Sequence, residues 1–158
     1  MTALLAFSLL AFIPHDSYPM SNGKDLFPAK ESSLLVVAFA ETCPHSVKEM
    51  PVINKLASAL KGKVRVVGVL ERDMTKTKAF AKKLGATFPI VSDTSGHFAA
   101  HIGAEHSLDF ATLHMGEVKS KSDGFDAARV NHALGALGVA SSELTFLPQE
   151  LLSGCSIN

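Results

Sequence analysis

Leu34-Leu35-Val36-Val37-Ala38-Phe39 is an unbroken apolar run with β-branched side chains at its centre. A run of this kind predicts a strand buried on both faces, as in a parallel or mixed sheet. Val64–Leu70 is nearly as apolar and predicts a second such strand. Between them Val47, Met50, Ile53, Leu56, Ala57 and Leu60 recur at helical spacing, which predicts a helix from about Pro44 to Leu60 with one apolar face. Pro44 suits its first turn, where a missing N–H costs nothing. Pro51 lies inside it and should kink it, because it removes a hydrogen bond and crowds the Val47 carbonyl.

The same reading carries on in both directions. Asn22-Gly23 is a tight-turn signal, with short strands expected at Tyr18–Met20 and Asp25–Phe27. Asp73 or Thr75 caps a helix that carries Ala79, Phe80 and Leu84 and stops at Gly85. Phe88–Val91 reads as a short strand, and a short helix burying Phe98, Ala99 and Ile102 follows the turn Asp93–Gly96. Phe110–Leu113 and Glu117–Lys119 flank a hairpin turn, and a last helix runs from about Asp126 to Leu137. Ser141–Asn158 reads as a tail with a short helix near Pro148–Leu152. The order of elements is that of an α/β domain with a mixed β-sheet flanked by helices.

Composition narrows the function classes. The 158 residues suffice for one compact domain, and 47% of them are hydrophobic against 19% charged, so the chain is globular. Fifteen basic residues balance fifteen acidic ones, which leaves no electrostatic footprint for nucleic acid or an anionic membrane surface. The opening thirteen residues, MTALLAFSLLAFI, are too short to span a bilayer as a helix. They are either an export signal, which implies an exported or periplasmic protein, or a segment packed on the domain of a cytoplasmic one. The organisation is therefore an N-terminal extension (residues 1–16), a domain (17–140) and a C-terminal tail (141–158).

The chemistry centres on Cys43, placed where the first buried strand gives way to a helix. Free N–H groups and the macrodipole at a helix start favour an anion, and so favour thiolate over thiol. His45 adds to this if protonated, and a hydroxyl at Ser46 stands one helical turn away to donate to the sulfur. Cys155 is the second of two cysteines, and spacing leaves a bridge between them open. It is the candidate resolving thiol, against a plainer reading as a tail thiol with no role. His97 and His101, four apart, with His106 following, lack an evident cysteine or carboxylate partner, so no metal site is assigned to them. No phosphate loop or haem-attachment motif occurs, and no cofactor is expected.

Phe39-Ala40-Glu41-Thr42-Cys43-Pro44-His45-Ser46-Val47-Lys48-Glu49-Met50-Pro51 resembles the Phe-Trp-Ala-x-Trp-Cys-Pro-x-Cys-x-x-Glu-x-Pro signature of thioredoxin-like redoxins, in particular their cytochrome-maturation and thiol-specific-antioxidant branch. Leu84–Asp93, with Gly96 and Ile102-Gly103-Ala104, resembles their central segment. Pro19–Lys24 resembles their N-terminal hairpin, and Gly124 fits the approach to their last helix. The resemblance spans about residues 17–138 and implies a thioredoxin-like fold, thiol–disulfide chemistry, and protein or small-molecule thiols and disulfides as partners.

Three departures bear on function. Thr42 replaces an aromatic residue, Ser46 replaces the second cysteine, and Glu105–Phe110 lacks the cis-proline that faces the active cysteine. Leu108 falls nearest that slot. A cis bond at a non-proline residue costs about 3 kcal/mol, so a trans peptide and an altered groove are expected. The first expectation is then a monothiol oxidoreductase, with Cys43 as nucleophile, His45 and Ser46 tuning it, and Thr42, Pro44 and Leu108 lining the groove. The alternatives are a non-catalytic thioredoxin-fold binding module and a weak thiol peroxidase. The peroxidase is disfavoured because Ala40 stands where a hydroxyl three residues before the cysteine would orient peroxide.

Overall fold

The computed structural model describes residues 17–157, so the N-terminal extension lies outside the described residues. Elements follow in the order β1 (Tyr18–Pro19), β2 (Asp25–Leu26), β3 (Leu34–Phe39), α1 (Pro44–Ala59), β4 (Arg65–Leu70), α2 (Met74–Leu84), β5 (Ile90–Ser92), α3 (His97–Ile102), β6 (Phe110–His114), β7 (Glu117–Ser122) and α4 (Ala127–Gly135). Five strands form one mixed sheet in the order β5-β4-β3-β6-β7, parallel through β5, β4 and β3 and antiparallel on the β6-β7 side. β1 and β2 form a separate two-stranded hairpin. This is the mixed α/β architecture of the thioredoxin-like fold. No helix among the described residues is long and apolar enough to cross a membrane.

The central strand β3 explains the two-layered core. Successive side chains on a strand point to opposite faces. Leu35, Val37 and Phe39 therefore join the cluster that holds Ile53 of α1, Phe80 of α2 and Val130 of α4. Leu34, Val36 and Ala38 join the other, with Tyr18, Phe98 and Ile102. All six residues are buried, as an apolar run without alternation requires. Gly68 in β4 completes the fit: a Cβ there would meet the Phe39 ring at 2.8 Å, so the ring's seat exists only over glycine.

Local signals decide most element ends. Asp73 caps α2 by accepting the Lys76 N–H at 2.9 Å, and Gly85 ends it in the left-handed conformation. Asp126 caps α4 in the same way through the Arg129 N–H at 2.7 Å. α1 is one element with Pro51 inside it. The strand expected at Phe88–Val91 begins at Ile90: Thr87 and Phe88 form a bend, and Pro89 has no N–H to give the ladder.

The tail corrects the expectation of a helix near Pro148–Leu152. That stretch is a bend at Gln149–Glu150 in otherwise irregular backbone, with Leu152 in an isolated bridge. Its backbone groups pair with the domain instead of with each other. Ala127 N–H donates to the Pro148 carbonyl at 2.8 Å, and Leu152 exchanges two hydrogen bonds with Phe125. Leu144, Leu147 and Ile157 are buried, so the tail is packed onto the domain along its length.

One carboxylate is held against its preference. Burial raises the pKa of Glu71, the nearby Asp93 carboxylate raises it further, and Arg72 offsets part of the rise. Asp93 cannot move away, since it accepts the Phe98 and Ala99 N–H groups at 3.2 and 2.8 Å. A carboxyl whose folded pKa is raised contributes most stability below its unfolded pKa and loses it as pH climbs through the folded value. Glu71→Gln should therefore raise the melting midpoint at pH 7 by about 1–3 °C. In thermal melts across pH, that gain should vanish below the ordinary glutamate range. A gain that persists in acid would mean that charge is not the cause.

Candidate redox site

Cys43 is the N-cap residue of α1, buried, with its own N–H donating to the Ala40 carbonyl at 3.2 Å. The end of β3 and the start of α1 thus fix its position from both sides. It is joined to Cys155 in a disulfide across 112 residues of sequence, with the two Cα atoms 5.7 Å apart. The thiol that the signature leaves without a partner is therefore paired, and with the tail.

Backbone pairing delivers Cys155 to that position. Ser107 N–H donates to the Cys155 carbonyl at 2.8 Å, and Gly154 N–H donates to the Ser107 carbonyl at 3.1 Å. Ile157 N–H donates to the Glu105 carbonyl at 3.1 Å, and His106 and Ser156 form an antiparallel bridge. The tail thus lies as an extended segment against residues 105–107, at the mouth of the Cys43 loop.

The segment that receives it is shaped by one buried acid. Asp109 Oδ2 accepts the Glu105 and His106 N–H groups, each at 2.9 Å, and Oδ1 accepts the Gly124 N–H at 2.8 Å. Leu108 N–H donates to the Ala38 carbonyl at 2.7 Å, and Leu108 itself has a φ of 73°. No described peptide bond is cis, as expected at Leu108. The Leu108 side chain, however, is buried in the core with Phe39 and Phe110. It therefore turns inward, and the neighbouring Ser107 is the residue that meets the sulfur.

Around Cys43 Sγ the donors differ from those expected. Ser107 Oγ–H donates to it at 3.1 Å and the Cys155 N–H at 3.1 Å. Ser46 is buried, and its Oγ accepts the Ala40 N–H at 3.2 Å, so it braces the loop before the cysteine. His45 does come close, with Nδ1 at 3.9 Å from Cys43 Sγ. Thr42 and Pro44 are exposed beside the disulfide in sequence. Cys43, His45 and Cys155 form the one group of three metal-ligand side chains found among the described residues, and His97, His101 and His106 do not enter it. His101 Nε2 instead lies 3.2 Å from the Gly116 carbonyl.

Ser107, Asp109 and Gly154 were not singled out by sequence. Asp109 carries the best signal, an acid set between Leu108 and an apolar strand, where a lone charge needs a structural reason. Gly154 carries one only in retrospect. A Cβ there would lie 1.8 Å from Ser107 Oγ and 2.4 Å from its carbonyl oxygen, so only glycine lets the two backbones close.

Two outcomes follow. Gly154→Ala should keep the tail from seating, and quenched oxidation read by mass spectrometry should show 43–155 closure at least about tenfold slower. Asp109→Ala removes the acceptor of three backbone N–H donors, of which the Gly124 one is buried, and should cost roughly 1–3 kcal/mol in denaturant melts of the reduced protein. Closure at the wild-type rate in the first variant would remove the steric argument.

The family model described as Redoxin matches residues 13–116 of this chain. None of the curated protein sequences matches it significantly. Among solved structures, a hypothetical protein from Sinorhizobium meliloti 1021 is 20% identical with a TM-score of 0.66, covering 89% of this chain and 88% of that one. MTB DsbF, solved in mixed oxidised and reduced forms, is 23% identical with a TM-score of 0.63, over 77% and 93%. The peroxidoxin BcpB from Mycobacterium tuberculosis is 20% identical with a TM-score of 0.61, over 79% and 93%. Likeness at this level of identity speaks for a shared fold, while the family match runs through the cysteine loop, α1 and the sheet as far as the β6-β7 turn. The chain belongs to the Redoxin family of thioredoxin-like proteins.

Proposed function

We propose that this protein is a thiol–disulfide oxidoreductase that works through Cys43 and Cys155 together, in place of the monothiol scheme suggested by Ser46. The disulfide between the helix-start cysteine and a tail cysteine carries this reading. In the reduced protein the Cys43 thiolate attacks a substrate disulfide, forming a mixed disulfide and expelling one substrate thiolate, which takes up a proton. The Cys155 thiolate then attacks Cys43 Sγ, expels the second substrate thiol and leaves the 43–155 disulfide. The substrate disulfide gains two electrons and the protein dithiol loses them. An external dithiol restores the starting state by the reverse exchange.

The surroundings support each role. The free N–H groups at the start of α1 and the Ser107 hydroxyl stabilise negative charge on Cys43 Sγ. Cys43 is buried whereas Cys155 is exposed, so a substrate reaches Cys43 when the tail gives way. Names among the structural neighbours point to the same chemistry and to peroxide reduction, as in a disulfide oxidoreductase of Mycobacterium tuberculosis and a peroxiredoxin Q of Xanthomonas campestris. A peroxide substrate would pass through a Cys43 sulfenic acid, which Cys155 resolves to the same disulfide with loss of water.

The test is turnover with glutathione disulfide as oxidant and dithiothreitol as reductant. Cys43→Ser should abolish it. Cys155→Ser should lower it roughly tenfold or more and accumulate a Cys43–glutathione mixed disulfide visible by intact mass. Unchanged turnover in Cys155→Ser would restore the monothiol scheme. Absence of turnover in the wild type, with the disulfide inert to dithiol, would leave a binding module.

A further inference from the structure

We propose that the reduced protein binds one thiophilic d10 metal ion, Zn²⁺, through Cys43 Sγ, Cys155 Sγ and His45 Nδ1, so that metal and disulfide are alternative occupants of the same three side chains. The proposal goes beyond the thiol–disulfide reading. It requires the reduced state of that scheme but not its turnover.

The three candidate ligand atoms all lie within 4.8 Å of one another, with Cys43 Sγ to His45 Nδ1 at 3.9 Å. Tetrahedral Zn²⁺ with Zn–S near 2.3 Å and Zn–N near 2.0–2.1 Å needs ligand–ligand edges of about 3.6–3.8 Å. Opening the S–S bond lets the two sulfurs part to such an edge, and His45 needs only a small approach. Two thiolates and a neutral imidazole balance a divalent cation and form a donor set that favours Zn²⁺ over hard cations.

The ligands are pre-placed by two separate parts of the fold. Cys43 and His45 sit at the first turn of α1. Cys155 is held by the backbone bonds of Ser107 to the Cys155 carbonyl, of Gly154 to Ser107 and of Ile157 to Glu105, none of which depends on the S–S bond. The outer shell is also present. The Ser107 hydroxyl and the Cys155 N–H both donate to Cys43 Sγ at 3.1 Å, the kind of contact that orients and stabilises a metal-bound thiolate. Cys155 is exposed and His45 half-buried, which leaves the fourth position of the ion facing solvent for water or an incoming thiol.

The exchange balances. A dithiol reductant delivers two electrons and two protons to the 43–155 disulfide and is itself oxidised to a disulfide. Zn²⁺ then displaces the two thiol protons and undergoes no redox change. Reoxidation of the pair releases the ion.

The experiment uses the full chain, reduced with dithiothreitol and desalted without oxygen. Zn²⁺ is titrated against a chromophoric chelator, and Co²⁺ serves as the spectroscopic probe. The expected result is one ion per reduced chain, thiolate-to-Co²⁺ charge-transfer bands, protection of both thiols from alkylation, and no binding by the oxidised protein. His45→Ala should weaken binding roughly tenfold or more. Cys155→Ser should remove the stoichiometric site, whereas His132→Ala, on the exposed side of α4, should leave it unchanged. The oxidised wild type is the control that needs no variant to fold, and thermal melts of each variant confirm the fold of the rest. Absence of stoichiometric binding by the reduced wild type overturns the proposal. So does equal binding by the oxidised form, or binding unaffected by both site variants. Metal binding without glutathione turnover would sink only the oxidoreductase reading, and turnover without metal binding only this one.

Discussion

The buried carboxylate of Asp109 makes three hydrogen bonds to backbone N–H groups, two in the loop ahead of β6 and one at Gly124 beyond β7. These two stretches are the ones that receive the tail: residues 105–107 take Gly154–Ile157, and Phe125 takes Leu152. A buried carboxylate is tolerated only when its oxygens are satisfied, and here the satisfaction of one side chain sets the spacing of two docking edges. The Ser107 hydroxyl at Cys43 Sγ and the tail segment that carries Cys155 both lie on the stretch whose N–H groups Asp109 holds.

The disulfide then closes a loop that runs from the start of α1 to the end of the tail and leaves β1, β2 and the central strand β3 outside it. In the chain-entropy account, a link across 112 residues constrains the unfolded chain by about 4–5 kcal/mol at 25 °C. That magnitude is a sizeable part of the total stability of a domain of this size, typically about 5–15 kcal/mol. Redox state and fold stability are coupled in this arrangement to an extent that a pair of cysteines one helical turn apart, enclosing a loop of only a few residues, does not reach.

What could be read in advance divides by distance along the chain. β3, α1 with Cys43 at its start, the Asp73 cap and the Gly85 stop all follow from residues within a few positions of one another, and the structure has them. Leu108 falls nearest the expected cis-proline slot by counting along the sequence, but its side chain enters the core and Ser107 faces the sulfur. The two residues lie in a turn, where Leu108 takes a φ of 73°, and a positive φ is not signalled by a leucine. Ser46 was assigned to the sulfur by helical spacing, yet the nearer claim on its oxygen is the Ala40 N–H, which the bend between β3 and α1 brings to 3.2 Å. The tail was the least legible. Its extended path is imposed by unpaired backbone on the domain, and no local signal in residues 141–158 encodes a partner that lies some fifty residues earlier in the chain.

A tail-borne partner changes what opening the site requires. With both cysteines on one helix, breaking the S–S bond leaves the geometry almost as it was. Here reduction removes the covalent tether and leaves the tail on three backbone hydrogen bonds to residues 105–107, two to Phe125, one from Ala127 to Pro148, and the buried Leu144, Leu147 and Ile157 side chains. At about 0.5–1.5 kcal/mol net for each hydrogen bond, that hold is comparable with the roughly 1–2 kcal/mol of backbone entropy regained by each residue that frees itself. The last residues of the tail, from Ser153 on, are therefore held less firmly once the thiols form than while the disulfide ties them. In the proposed cycle a substrate reaches the buried Cys43 when the end of the tail lifts, with no movement of α1 required, and the tail lies beyond the residues that the Redoxin match covers.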